Sequence, residues 1–172
     1  GASIVASGRD ADRGRTLIDE IRAAGGRAEF VPGDVALPET NRALVETARR
    51  AFGGVDSLVC FAGVLGLGSI TGVGAETWRQ TMAVNLDAIF YLLCEGLPAM
   101  QARGGGSVVI GGSIAAFKGF PNHAAYCASK GALLALVRQA AIDYGPEIRI
   151  NVLCPGPVDT PLIWDSAAAF PD

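Results

Sequence analysis

Ser107-Val108-Val109-Ile110-Gly111-Gly112-Ser113 is an apolar run that ends abruptly in two glycines and a hydroxyl. Its strand-forming part, residues 107–110, lacks the polar alternation of a sheet with one wet face, so both faces are expected to be covered. Toward the C-terminus comes a helical pattern over 124–144, with Leu133, Leu136, Val137 and Ala140 as its stripe, and then a second apolar run at 148–153. A strand, a helical crossover and another strand make a right-handed βαβ unit with parallel strands.

Toward the N-terminus the same alternation repeats. Apolar runs at 55–61, 28–31 and 3–6 read as strands. Asp10 can cap a helix whose stripe is Leu17, Ile18 and Ile21 and which Gly25 and Gly26 end. Pro38 opens a second, with Leu44, Val45, Ala48 and Phe52 on one face and Gly53 as its stop. A third spans about 76–98, through Trp78, Met82, Leu86, Ile89 and Leu93. Five strands alternating with four helices predict an α/β fold, a doubly wound parallel sheet of Rossmann type. The 172 residues suit one domain.

Composition removes several classes. Apolar residues make up 50% and charged residues 18%, too apolar for disorder, and the 23 glycines show no three-residue period that would make a collagen. A net charge of −3 argues against a nucleic-acid surface or a polybasic membrane anchor. The uncharged stretch 57–75 carries five glycines, so no membrane-spanning helix is expected there. Cys60, Cys94, Cys127 and Cys154 form no C-x-x-C pair and read as buried free thiols of a reducing, cytoplasmic compartment. His123 is the sole imidazole, which leaves no metal site to expect. With no initiator Met and a strand directly behind Gly1, the chain reads as cut.

In doubly wound sheets ligands bind outside the carboxyl ends of the strands. Those ends carry Gly8-Arg9, Gly33-Asp34-Val35, Ala62-Gly63, Gly111-Gly112-Ser113 and Pro155-Gly156-Pro157, small residues that let a ligand approach the backbone. Gly63-Val64-Leu65-Gly66-Leu67-Gly68 has the wrong glycine order for a dinucleotide loop and reads as a flexible loop.

Tyr126 and Lys130 lie four apart at the start of the 124–144 helix, hence on one face. A tyrosine, with a pKa of about 10, needs a neighbour that favours phenolate to act near neutrality, and an ammonium one turn away supplies that field. Ser113 at a strand rim can hydrogen-bond an oxygen on which charge grows, and Asn85 can hold a water that links the lysine to solvent. A packed ring beside a solvated lysine would show the same spacing, so the pair alone does not decide.

Together, Asp34-Val35, Asn85, Ser113, Tyr126-Cys127-Ala128-Ser129-Lys130 and Pro155-Gly156-Pro157-Val158-Asp159-Thr160 resemble the short-chain dehydrogenase/reductase family, in its order and spacing. The resemblance implies an NAD(P)-dependent oxidoreductase that interconverts secondary alcohols and ketones. It implies Tyr126 as acid/base, Ser113 on the carbonyl oxygen, Lys130 on Tyr126 and the nicotinamide ribose, and Asn85 in the proton relay. Asp34 and Val35 would meet the adenine, Ala62 and Gly63 the adenosine ribose, and the segment with Pro155, Gly156, Val158 and Thr160 the carboxamide. Gly8 stands where many NAD users of the family carry an acid, and Arg9 follows it, which favours NADP over NAD.

The sequence departs from the family in two ways. Cys60-Phe61 replace the usual asparagines before Ala62-Gly63, which keeps open a noncatalytic nucleotide-binding or scaffold role. The family's first strand, with its glycine-rich turn, and its last segment are missing, so the chain is expected to be a partial domain, truncated at both ends. Its sheet would lack the central strand between those at residues 3 and 55, and the fragment alone could be inactive. A small alcohol or carbonyl substrate is expected against Ala115, Phe117, Phe120 and Pro121. Surplus apolar residues such as Phe90, Leu92, Leu134 and Leu136 point to a homodimer or homotetramer.

Overall fold

In a computed structural model, residues 1–167 and 170 are described. The elements follow in the order β1 (Ser3–Gly8), α1 (Ala11–Ala23), β2 (Arg27–Pro32), α2 (Pro38–Phe52), β3 (Ser57–Cys60), α3 (Ala75–Met82), α4 (Ala88–Gln101), β4 (Gly106–Gly111), α5 (Ala124–Tyr144), β5 (Ile148–Leu153) and α6 (Pro161–Ala167). Local chemistry accounts for their ends. The Asp10 carboxylate accepts from the Asp12 and Arg13 amides and starts α1, while Gly53 at φ 84° closes α2 in the left-handed conformation that glycine adopts without strain.

Every strand pair is parallel, and the register sets Gly8 beside Pro32, Cys60 beside Ile110 and Gly111 beside Leu153, so the carboxyl ends share one rim within each sheet. The sheet is divided. β1 pairs with β2, and β3 with β4 and β5, but β1 and β3 do not pair. Their free edges line a cleft of about 730 Å³, floored by Val45, Ile89 and Leu92 of the covering helices. β3 is therefore shorter than the expected 55–61, having one hydrogen-bonded neighbour instead of two.

The core lies where α4 and α5 cover the three-stranded sheet. Leu93, Met100, Val108, Ile110, Leu133 and Ile148 are all buried there. By length and composition alone, the 27 residues Ala75–Gln101 could cross a membrane; their apolar side chains instead form this core. The expected third helix is interrupted at Ala83–Asp87 by a π-helical turn, and α4 continues through Pro98. Leu93, Leu133 and Leu134 are spent inside the fold, leaving Phe90 of α4 and Ile142 of α5 outward. All four cysteines are free, but only Cys60 is buried, since Cys94 is exposed and Cys127 and Cys154 are half-exposed. Burial pushes the Cys60 thiol up to about 12, which makes it inert.

Candidate active site

Ser113 leaves the rim of β4 in an extended conformation, and its hydroxyl oxygen accepts from the Ala115 amide at 3.1 Å. That bond leaves the Ser113 proton free to donate. Tyr126, half-buried in the first turn of α5, receives a side-chain hydrogen bond from Ser113. Burial nonetheless raises the Tyr126 pKa; the Ser113 bond lowers it in part, and the Cys127 thiol adds to the rise. In this state the phenol holds its proton firmly.

Lys130 is 5% exposed. Its amine donates to the Gly111 carbonyl at 2.7 Å and lies 5.7 Å from the centre of the Tyr126 ring. Burial lowers its pKa to about 8, against a smaller upward pull from the Cys154 thiol. The lowering influence on Tyr126 expected from Lys130 thus comes here from Ser113, with the amine turned toward a backbone carbonyl.

Asn85 sits inside the π-helical turn, 1% exposed. Its amide oxygen accepts from the Val64 amide at 2.8 Å, and its nitrogen donates to the Val64 carbonyl at 2.9 Å and to the Ser129 hydroxyl at 3.0 Å. A π turn adds one residue to a helical turn and re-aims the side chain, here toward the loop after β3. Gly63 lies beside both partners. A Cβ on it would come 3.4 Å from the Asn85 amide oxygen and 3.8 Å from the Lys130 amine.

The loop expected to be flexible is fastened. Besides the Asn85 clamp on Val64, Leu65 is buried, the Gly68 amide donates to the Asn122 carbonyl at 2.7 Å, and the Ala124 amide donates to Gly68 at 3.2 Å. The fold thereby joins Gly63, Asn85, Ser113, Tyr126 and Lys130 in one cluster.

Several of the other strand-end residues lie at the surface. Arg9 is exposed at the end of β1, and the Gly33 amide donates to the Gly8 carbonyl at 3.0 Å, tying the first two strand ends together. Asp34 accepts from the Ala36 amide through one oxygen at 3.0 Å. Ala62 is exposed after β3. The Pro155 carbonyl accepts from the Ile114 amide at 3.1 Å, whereas Gly156, Val158 and Thr160 are exposed. Of the expected apolar wall, Ala115 is buried and Phe120 half-buried, but Phe117 is 66% exposed and turned to solvent.

Two positioning residues escaped the sequence reading. Asn41, 1% exposed, donates to the carbonyls of Val35 and Leu37 and shapes the turn that carries Asp34. An asparagine in the first turns of a helix, where it is a poor helix former, was the available signal. Ser129 donates to the Tyr126 carbonyl at 2.8 Å and links α5 to Asn85.

A family model described as short chain dehydrogenase matches residues 1–169. The 3beta-hydroxysteroid dehydrogenase of Mediterraneibacter gnavus is 35% identical over 170 residues, covering 98% of this chain and 61% of that protein. A gluconate 5-dehydrogenase from Burkholderia cenocepacia, solved with NADP and tartrate, superposes with a TM-score of 0.87 at 31% identity, over 94% of this chain and 64% of that one. A 7 alpha-hydroxysteroid dehydrogenase solved with NADH and 7-oxo glycochenodeoxycholic acid gives 0.86 at 34% identity, over 91% and 61%. The chain therefore spans under two thirds of the length of each of these relatives. With the rim cluster in the family's order and the match running nearly end to end, the chain belongs to the short chain dehydrogenase family of oxidoreductases.

Proposed function

We propose that the whole protein is an NAD(P)-dependent oxidoreductase that interconverts a secondary alcohol and a ketone, with Tyr126 as its acid/base. The observation that carries this reading is the meeting of the Ser113 and Tyr126 hydroxyls at the rim of β4, with the Lys130 amine buried behind them. A bound nicotinamide supplies or takes the hydride. In reduction Tyr126 gives its phenolic proton to the carbonyl oxygen, and Ser113 donates a hydrogen bond to that oxygen as charge builds on it. Oxidation runs the same transfer backward. Lys130 returns the proton to Tyr126, and Asn85, buried and bonded to Val64 and Ser129, braces that relay.

The residues present fit the two ends of a dinucleotide. Asp34 keeps one carboxylate oxygen for an adenine amino group, with Val35 beside it, and Ala62 and Gly63 offer close backbone approach to a ribose. Lys130 can hold the second ribose, and Gly156, Val158 and Thr160 form an open edge for the carboxamide. Arg9 can take a 2′-phosphate, which favours NADP. Between those ends lies the cleft separating β1 from β3, which we read as the seat of a further parallel strand, carrying the pyrophosphate turn, from outside these 172 residues.

The four free thiols support a cytoplasmic setting, and Phe90 with Ile142 supports assembly as a homodimer or homotetramer. The test uses the full-length protein with a panel of ketones and secondary alcohols. Tyr126→Phe is expected to cut turnover by about 10² to 10⁴ while NADPH still quenches protein fluorescence. Undiminished turnover overturns the assignment, and a clear preference for NADH overturns the part played by Arg9. A scaffold protein would bind the nucleotide and turn over nothing in the panel.

A further inference from the structure

His123 is 3% exposed and stands three residues ahead of Tyr126, the two ring centres 6.2 Å apart. Its Nδ1 lies 2.5 Å from the Pro121 carbonyl oxygen and its Nε2 lies 2.8 Å from the Ser166 hydroxyl. A carbonyl brings no proton, so in the neutral ring Nδ1 carries the hydrogen and Nε2 is the acceptor. Ser166 therefore donates to His123.

That bond is notable for what it fastens. α6 buries none of its residues, and the polar contacts of its approach are internal: Trp164 donates to Asp159 at 3.2 Å, the Ile163 amide donates to Thr160 at 3.0 Å, and Thr160 to Val158 at 3.4 Å. Among the described residues, the polar side chain that ties the segment to the body is Ser166. There, besides the Ser166 bond, Phe170 meets the rings of Phe120 and His123 at 6.5 and 6.1 Å. His123 in turn is rigidly placed, since the backbone on either side of it is bonded to Gly68.

We propose that His123, whose ring stands next to that of Tyr126, is a positioning residue that latches α6 one side chain away from the reacting group and so helps to hold substrate there. This rests on the reading of Tyr126 as the reacting group. Among the described residues α6 buries none fully and half-buries only Ile163 and Ser166, so packing holds it weakly and the Ser166 bond with the Phe170 ring contacts weighs heavily in how much of the time it is in place. A substrate that needs α6 in place binds in proportion to that fraction.

Ser166→Ala and His123→Phe each remove the bond, the second while keeping a ring; His123→Gln keeps an acceptor. In the full-length protein, hydrogen exchange of the 161–167 amides is expected to quicken about tenfold in Ser166→Ala and in His123→Phe, with no further gain in the double variant. KM for the alcohol or ketone should rise several-fold while kcat stays within about twofold, and His123→Gln should recover part of both effects. Unchanged exchange in the two single variants overturns the latch. Faster exchange with unchanged KM overturns its role in holding substrate. Exchange reports on α6 whatever the chemistry, so turnover that survives Tyr126→Phe would remove the reading of the reacting group and leave the exchange result to be judged separately.

Discussion

Burying the Lys130 amine lowers its pKa from 10.5 to about 8, because the Gly111 carbonyl replaces only part of the water an ammonium holds. An unfolded chain keeps that proton up to about pH 10.5, whereas the folded chain releases it near pH 8. Between those values the unfolded state binds more protons, so stability rises with pH across the window, and the cost is complete below it. Lys130→Met removes the cost at the loss of one hydrogen bond. It is expected to stabilise the fold by about 2 kcal/mol at neutral pH, a gain that vanishes within the window and turns into a loss of about 1 kcal/mol near pH 10.5, where only the missing hydrogen bond counts. Urea unfolding of both chains at several pH values measures this; a difference independent of pH would mean that packing, and not the amine, is responsible. The spacing of Tyr126 and Lys130 was legible in the sequence, but the direction in which the amine points was not. That direction depends on the Gly111 carbonyl, which another element brings in.

At the scale of elements, Asn85 shows what one side chain does for a whole loop. It satisfies both backbone groups of Val64 from within a helix. Asn85→Ala would strand an amide and a carbonyl in a half-buried place, at a cost of about 2–4 kcal/mol. Hydrogen exchange at the Val64 amide should accelerate with the stability loss, and slow exchange there in the variant would show that the loop is held elsewhere. The asparagine was recognisable beforehand, but the π turn that aims it was not, because apolar spacing over 76–98 reads the same with one residue inserted. Pro98 looked like a helix end for a sound reason, since it cannot donate to the Cys94 carbonyl four residues back. Both residues face solvent, where water can take that carbonyl, and so α4 runs on to Gln101. α6 gave only a Pro at its first position as a signal; with seven residues and no buried stripe, it has no periodicity to read.

The strands were the most legible part of the whole molecule, because short apolar runs mark them. Yet the expected cover on both faces holds only for β4: in β3 and β5 every other residue is exposed, since each has a strand on one side only. What such runs do not encode is which edges meet. The accessible surface is 9675 Å², against about 8,000 Å² for a compact monomer of this mass. Part of the excess is the cleft between the two sheets, where Val59 stands 68% exposed and Phe61 56%. Alternate residues of β1 and of β3 turn their backbone groups toward it, on edges where no strand pairs with them. One parallel strand seated there would gain ladder bonds on both sides, each worth about 0.5–1.5 kcal/mol net, and would cover those side chains. A chain extended upstream of Gly1 by an apolar strand and a glycine-rich turn is thus expected to melt at least about 10 °C higher than the 172-residue chain. It should also unfold with a steeper urea dependence, because it exposes more surface on unfolding. The same extension should let NADPH bind, since a helix N-terminus and turn amides then face the pyrophosphate. Equal melting temperatures for the two chains would mean that the divided sheet is stable as it stands, and the cleft would have to be explained as something other than a seat for a strand.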